Sequence, residues 1–249
     1  IFQIARAAGI FQINNIIIYK DGREFENDSK LLSTILRYLE TPQHFRKRLY
    51  PKSGLLQFVG ALSPIKIPNQ TGTSDAKQVK IGDVREGVIF PKDGKKYIDL
   101  GIDYSVPYHG KKAIDKRTIV KIKDAFPNFT VYDIEKNQIP NFWSYSVKHG
   151  GNLLTLLTDW KGPKILTSRK SKKIKNEDMQ KILSSEEEIL VVFGTTDKGI
   201  HEMLDKKISN VQNFKAWNFF PHQGTETVRL EEAILGCLSI ISASNFTNK

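Results

Sequence analysis

Apolar residues recur along the chain with two different periods, and these periods predict alternating helices and strands. Residues 4–19 change from small helix formers to a run of isoleucines at 16–18, which predicts a helix leading into a buried strand. Residues 31–39 place leucine and isoleucine at helical spacing. Strand-like and helical segments then alternate toward the C-terminus, at residues 164–167, 176–183, 189–193, 200–207 and 217–220. Such alternation predicts an α/β fold with a mostly parallel sheet and right-handed crossovers.

The middle of the chain has a different pattern. Three short segments of alternating polarity are separated by turn signals such as Asp93-Gly94 and His109-Gly110, and they cover residues 84–90, 97–102 and 118–123. This pattern predicts a small OB-like β-barrel at residues 78–140, inserted into a larger domain formed by residues 1–77 and 141–249. Aromatic rings and lysines in the insert suit single-stranded nucleic acid, although barrel core is an equally simple role for half of the rings.

A short basic helix is predicted ahead of this insert. Thr41 is the expected N-cap and Pro42 the first helical residue. The helix carries Arg46, Lys47 and Arg48 and is followed by Lys52, while Lys111 and Lys112 form a second basic group in the insert. Two interpretations are open for such a run, a solvated helix face or a set of phosphate contacts.

The amino-acid composition favours some kinds of partner and binding site and disfavours others. The 249 residues include 38 Lys and Arg against 27 Asp and Glu, so the net charge is +11 and the isoelectric point about 9.5, which favours a polyanionic partner. Cys237 is the only cysteine, and the five histidines lack ligand spacing, so we expect neither a disulfide nor a metal site. No segment has the length of a membrane span. We therefore expect a soluble, intracellular protein, and because residue 1 is not Met we expect further residues upstream.

Three loops follow the predicted parallel strands, where ligands of such sheets bind. They are residues 168–170, 194–199 and 221–225. Residues 191–200 lack the glycine and lysine spacing of a phosphate-binding loop, which disfavours a nucleotide hydrolase. In the last loop Pro221 ends a strand and Gly224 permits a turn, so that Thr225 and Glu226 are predicted to open an amphipathic helix.

Five segments carry a family resemblance. IARAAGIF at residues 4–11, RKRLYPKSGLLQFVGALSPIKIP at 46–68, VREGVIF at 84–90, FGTTDKGI at 193–200 and PHQGTETVRLEEAIL at 221–235 resemble the SPOUT, or α/β-knot, RNA methyltransferases. The chain is most similar to the archaeal and eukaryotic branch that has an inserted OB-like barrel. The resemblance implies a trefoil knot, S-adenosylmethionine bound in a bent conformation by the knot loops, a homodimer formed through the C-terminal helix, and RNA as the methyl acceptor.

The resemblance also implies roles for individual residues. Cofactor-binding candidates are the loop residues Thr167, Ser168, Gly194, Thr195, Gly199, Asn218, Pro221, Gln223, Gly224 and Thr225. Catalytic candidates are Arg6, Arg229 and Glu226. A guanidinium of Arg6 or Arg229 suits an anion formed on a uridine ring, whereas an ion pair is the simpler role for Arg229 and a helix cap or a dimer contact for Glu226. His222 and the pair Thr195-Thr196 depart from the family pattern.

The expected function is thus that of an S-adenosylmethionine-dependent RNA methyltransferase acting on ribosomal RNA, with N3 of uridine as the suggested acceptor. The alternative is a catalytically silent RNA-binding factor of ribosome assembly that keeps the knot for dimerisation. Affinity for the cofactor separates the two, because only the enzyme needs it. The expected compartment is the cytoplasm for an archaeal protein and the nucleus or nucleolus for a eukaryotic one.

Overall fold

The computed structural model describes residues 1–20, 25–195 and 198–245. It divides the chain into two compact units. The first consists of Ile1–Leu36 together with Ser146–Lys249, and the second of Arg37–Tyr145. The predicted insert at residues 78–140 lies inside the second unit, which also takes in the basic helix and the irregular segment before the insert.

Helices and strands cover most of the described chain, except for residues 50–83, which contain only short 3-10 helices. The helices are α1 (Phe2–Ile10), α2 (Phe25–Glu40), α3 (Gln43–Leu49), α4 (Leu153–Asp159), α5 (Asn176–Leu183), α6 (Ile200–Leu204) and α7 (Leu230–Asn245). The strands are β1 (Asn15–Lys20), β2 (Val84–Lys92), β3 (Lys95–Asp99), β4 (Val106–Pro107), β5 (Arg117–Asp124), β6 (Thr130–Ile134), β7 (Ser146–Asn152), β8 (Lys164–Lys173), β9 (Leu190–Val192) and β10 (Phe214–Asn218).

The first unit has the mixed α/β architecture that the alternating pattern predicts. Strands β1 and β7 pair in parallel, and a second parallel sheet has the order β10-β8-β9. Ile165 and Leu166 of the central strand are fully buried, because parallel strands covered by helices on their faces need apolar residues at successive positions. Helix α7 packs against α1 and α5, and its Cys237 joins the core that includes Ile165 and Trp217.

Strand β8 is longer than predicted. The sequence suggests a strand at residues 164–167 followed by a loop at 168–170, whereas the extended backbone continues to Lys173. Its pairing with β10 is nevertheless interrupted, since Ala216 lies opposite Leu166 and the next residue, Trp217, lies opposite Lys172. Residues 167–171 therefore have no partner on β10 and form the loop that the sequence places here.

The second unit is built on an antiparallel sheet with the strand order β4-β3-β2-β5-β6. Strands β2 and β3 form a hairpin closed by Asp93 and Gly94, both at positive φ, 48° and 70°, as the right-handed twist of a two-residue hairpin requires. Alternate residues of the sheet form its core, and they include Ile89, Ile98, Val106, Val120 and Ile122. The predicted turn at Asp93-Gly94 is confirmed.

Two predicted helix starts are wrong, that of α3 by one residue and that of α7 by about one turn. Helix α3 begins at Gln43 with Pro42 in the N-cap position, because the Thr41 hydroxyl instead donates to the carbonyl of Arg37 at 2.8 Å. Helix α7 begins at Leu230 rather than at Thr225 and Glu226. The Glu226 carbonyl accepts hydrogen bonds from two side chains, and the Glu232 carboxylate accepts from the backbone N–H of Arg229 at 2.9 Å, which starts the helix one turn later.

Candidate functional site

Three loops meet at one edge of the β10-β8-β9 sheet. The strands are parallel neighbours, so the segments that leave their carboxyl ends lie side by side. These segments are residues 167–171, the described part of 194–199, and 218–226. Side-chain hydrogen bonds join the first of them to the third, and others join it to Val192 of β9 and to α6, the elements on either side of the second. The ten predicted cofactor-binding positions lie in or beside these three segments.

The first loop is tied to the end of β9. The Thr167 hydroxyl donates to the carbonyl of Val192 at 2.9 Å, across the two strands. The Ser168 hydroxyl accepts from the backbone N–H of Lys170 at 3.3 Å and so closes a local turn. Both side chains are half-buried.

The second loop turns tightly after β9. A Cβ on Gly194 would lie 2.9 Å from the carbonyl oxygen of Lys198, so only glycine permits the backbone to approach this closely. The backbone N–H of Thr195 donates to the same carbonyl at 3.0 Å, and the Thr195 hydroxyl accepts from the N–H of Lys198 at 3.1 Å. The Tyr19 hydroxyl of β1 donates to the carbonyl of Phe193 at 2.5 Å and holds the loop from below. Thr196, half of the unusual threonine pair, lies outside the described residues.

The third loop is held by amide side chains. Asn218 donates from Nδ2 to the carbonyl of Arg169 at 3.0 Å, and its Oδ1 accepts from the N–H of Phe220 at 2.9 Å. Gln223 donates to the carbonyl of Thr225 at 3.0 Å and to that of Glu226 at 3.2 Å. These bonds curl residues 218–226 into a compact turn in which Pro221 and His222 are exposed.

Arg169 links the first loop to the third. Its guanidinium donates to the carbonyl of Glu226 at 2.6 Å, while its own carbonyl accepts from Asn218. Gly224 stands within this linked turn, and a Cβ at that position would meet nothing within 4 Å. A side chain at this position would therefore extend into open space beside the turn.

A charged group links the first loop to the helix after the second. Lys170 and Glu202 form an ion pair, and the Ser171 hydroxyl lies 2.9 Å from Nε2 of His201. The hydrogen bond from Lys170, with that from the backbone N–H of Gly199, lowers the pKa of the Glu202 carboxyl. The sequence-based selection omitted Arg169 and these four residues. Arg169 and Lys170 lie in the predicted first loop, so their position after a predicted parallel strand could have identified them as site residues.

The catalytic candidates lie at the ends and flanks of α7. Arg6 is exposed on α1, between the buried residues Ala5 and Ala7, and α1 packs against α7. Arg229 directly precedes α7 and is exposed. Glu226 has an exposed side chain and serves the third loop through its backbone carbonyl.

The basic candidates of the second unit do not share one environment. Lys47, Arg48, Lys52, Lys111 and Lys112 are exposed. Arg48 makes a 3.6 Å ion pair with Asp115 and lies over the ring of Phe90. Arg46 is only 8% exposed and donates to the carbonyls of Thr41 and Leu39 at 2.8 and 2.9 Å. A solvated helix face therefore does not describe Arg46.

The described residues were also compared with the requirements of a membrane-spanning helix and of a metal site. Within residues 1–20, 25–195 and 198–245, no helix is both long and apolar enough to cross a membrane. In the same part of the chain, no three His, Cys, Asp or Glu side chains are grouped as a metal ion would need.

Comparison with known proteins identifies relatives over almost the whole chain. Residues 1–241 match the family model described as "Putative RNA methyltransferase". An uncharacterised protein of Haloarcula marismortui is 24% identical over 265 residues, covering 96% of this chain and 89% of that protein. The 28S rRNA (uridine-N(3))-methyltransferases of Mus musculus and Homo sapiens are each 26% identical, covering 96% of this chain and 69% and 71% of their own lengths.

Proposed function

We propose that this chain, which belongs to the RNA methyltransferase family matched by residues 1–241, methylates N3 of a uridine in ribosomal RNA. Membership makes it an enzyme that transfers methyl groups to RNA. The choice of ribosomal RNA and of uridine N3 rests on the similarity to the mouse and human enzymes. The observation that carries the proposal is the position of three loops at the carboxyl edge of the parallel sheet, the first and third of which are linked through Arg169.

We further propose that S-adenosylmethionine is the methyl donor, as it generally is for methyltransferases of this class, and that the linked loops bind it. The residues present fit such a molecule. Gly224 and Gly199 leave open space where any side chain would protrude, and the hydroxyls of Thr167, Ser168 and Thr195, with the Gln223 amide, supply polar groups for an adenosine and an amino acid moiety. When bound, the donor supplies a methyl group on a positively charged sulfur. Asn218, Pro221 and Thr225 complete the proposed set.

The role of the protein's own side chains follows from the chemistry of the acceptor. N3 of a uracil ring carries a proton, which must leave before or during attack on the methyl group, and the resulting negative charge spreads onto the ring carbonyl oxygens. A guanidinium beside those oxygens stabilises the anion. We assign this role to Arg6 or Arg229, both of which flank α7. We keep Glu226 as a further catalytic candidate, for contact with the proton that leaves N3.

We also propose three features of the architecture that the pairing of strands does not by itself establish, namely a knot, a dimer and an inserted domain. We infer that the C-terminal segment is threaded into a trefoil knot and that two copies associate through α7, where Leu235 is 46% exposed. We also infer that residues 78–140 form an OB-like insert for RNA within a methyltransferase domain of residues 1–77 and 141–249. The antiparallel order β4-β3-β2-β5-β6 supports the insert. A protein of this kind acts where ribosomal RNA is made, which is the cytoplasm of an archaeon or the nucleolus of a eukaryote.

The decisive experiment combines methyl transfer with cofactor binding. Ribosomal RNA is incubated with the purified chain and isotope-labelled S-adenosylmethionine, digested to nucleosides and analysed by mass spectrometry, where labelled 3-methyluridine is expected. Gly224→Leu should abolish both labelling and calorimetric binding of the demethylated product, because leucine would occupy the open space of the third loop.

Gly54→Leu is the matched control, because a Cβ there also meets nothing within 4 Å and residue 54 lies outside the three loops. It should retain both activities. Binding of the cofactor without any labelled nucleoside would contradict the enzymatic proposal. Equal cofactor binding by the two leucine variants would contradict the proposed binding loops.

A further inference from the structure

A polar cavity of about 360 Å³ lies in the second unit, apart in sequence from every loop of the proposed donor site. Its volume is within the range of small-molecule sites. The end of α2, helix α3 and the irregular segment after it form its walls. The lining residues are Tyr38, Gln43, Arg46, Lys47, Tyr50, Val59, Gly60 and Leu62.

A buried cation, Arg46, lines the cavity. The Arg46 guanidinium is held by two backbone carbonyls and by the Tyr38 side chain, and none of these partners is a carboxylate. In the part of the chain that the structure describes, no carboxylate forms an ion pair with Arg46. Burial lowers the pKa of Arg46, yet an arginine stays protonated in a protein. Because a buried charge is costly unless it is paired, the cavity favours an anion.

The other lining groups specify the kind of anion. Exposed Lys47 adds a second positive charge at the cavity. Tyr38 and Tyr50 lie edge to face with ring centroids 5.4 Å apart, and the Arg46 guanidinium lies 4.7 Å from the Tyr38 ring centroid. Exposed Gln43 contributes an amide that can both donate and accept hydrogen bonds. Cations beside aromatic rings and an amide suit a phosphate that is attached to a flat, hydrogen-bonding base.

We propose that this cavity binds one nucleotide of the RNA substrate, with the phosphate near Arg46 and Lys47 and the base against the tyrosine rings. The inference rests on the proposed function, since it assumes that RNA is the substrate. Single-stranded RNA is recognised in this way when unstacked bases are placed on aromatic side chains.

Two glycines allow a test that leaves the fold intact. Gly60 lines the cavity, and a Cβ there meets nothing within 4 Å, so Gly60→Trp places a large side chain at the cavity from a position that accepts a Cβ. Gly54→Trp is the matched control, since Gly54 is also exposed, also lies in a short 3-10 helix and also has open space. Affinity of the full chain for a fluorescein-labelled, uridine-rich 12-nucleotide RNA should fall about tenfold in Gly60→Trp and stay unchanged in Gly54→Trp.

Lys47→Gln provides an independent variant and should also weaken the binding of RNA by several-fold. Equal RNA affinity of Gly60→Trp and Gly54→Trp would overturn the proposal. Titrations with uridine 5′-monophosphate and with inorganic phosphate separate the sources of the anion. If the cavity binds the free nucleotide but Gly60→Trp leaves the affinity for RNA unchanged, the cavity is a site for a small metabolite and the proposal is wrong. Calorimetry with the demethylated cofactor tests the proposed function separately, because no cavity variant should change it.

Discussion

The side chain of Asn218 donates a hydrogen bond to the backbone carbonyl of Arg169 at 3.0 Å, and Arg169 in turn donates to the carbonyl of Glu226 at 2.6 Å. Asn218 ends β10 and Arg169 lies in the unpaired part of β8. One amide thus fixes the spacing between two loops that are 49 residues apart in the chain.

Asn218→Asp removes this donor and keeps the acceptor for the N–H of Phe220. The new carboxylate also faces the carbonyl of Arg169, so the first and third loops should separate. We expect affinity for the demethylated cofactor to fall about tenfold, equivalent to about 1.4 kcal/mol, as measured by calorimetry. Asn213→Asp, an exposed amide before β10, is the control. Unchanged affinity in Asn218→Asp would show that the loop spacing does not govern binding.

Arg6 should act on the acceptor and not on the donor. In Arg6→Ala, kcat should fall about a hundredfold or more while cofactor affinity stays constant, because only the uridine anion loses its partner. The rise of the rate with pH should move to higher pH, since a less stabilised anion forms less readily. Arg6→Lys keeps the charge and should recover part of the rate. The pH profile of methyl transfer checks this, and an unshifted profile in Arg6→Ala would assign the role to Arg229.

Exposed lysines of the second unit should contribute to RNA affinity by neutralising phosphates. Lys111→Gln with Lys112→Gln should reduce the slope of log affinity against log salt by about 0.7 for each phosphate that is no longer neutralised. The control is the pair Lys161→Gln and Lys181→Gln, which removes the same charge from exposed positions of the first unit. Fluorescence anisotropy at several salt concentrations gives both slopes, and equal slopes would remove Lys111 and Lys112 from the interface.

Arg117 should be essential to the stability of the second unit. It bridges two largely buried carboxylates, with Nη1 2.9 Å from Glu40 and Nη2 2.6 Å from Glu86. Burial by itself would lower the pKa of Arg117, but the two carboxylates raise it above its ordinary value. Arg117→Met should cost about 3–5 kcal/mol of unfolding free energy, because it leaves two carboxylates buried together.

Arg48→Met removes the exposed ion pair with Asp115 and should cost about 0–1 kcal/mol. Urea unfolding of the two variants compares a buried pair with an exposed one in the same unit. Similar losses in both variants would mean that burial does not decide the value of these ion pairs.

The thiol of Cys237 should report on the packing of α7. Burial raises its pKa to about 12, and the residue is 1% exposed. At pH 8 only about one folded thiol in ten thousand is ionised, so iodoacetamide should label the native protein far more slowly than the unfolded one. Mass spectrometry of timed samples measures both rates, and rapid native labelling would show that α7 detaches readily.

The raised pKa of the Cys237 thiol also predicts that the protein becomes less stable at alkaline pH. The unfolded thiol ionises near pH 8.5, whereas the folded thiol keeps its proton up to about pH 12. The unfolded state therefore releases a proton first, and the contribution of Cys237 to stability is complete below pH 8.5 and declines between there and pH 12. Cys237→Ala should show a smaller decline over this range.

The alternating pattern of apolar residues was sufficient to predict the parallel α/β sheet of the first unit, and Asp93-Gly94 was sufficient to predict the hairpin of the second. Both depend on local physics, namely which side chains a buried strand needs and which residues adopt positive φ. The position of three loops after the parallel strands could also be predicted, although their role in binding stays a prediction. The helix, strand and turn preferences that support these predictions belong to residues that are close together along the chain.

Only the tertiary structure decided the rest. At the start of α7 the carbonyl of Glu226 accepts a hydrogen bond from Arg169, a residue of a distant strand, and the helix begins only at Leu230. Arg46 is buried although it lies in a basic run, since its environment depends on Tyr38 and on the carbonyls that precede α3. These hydrogen-bond partners come from elements that are distant in the chain and meet only through tertiary packing. The sequence of a single element therefore does not predict them.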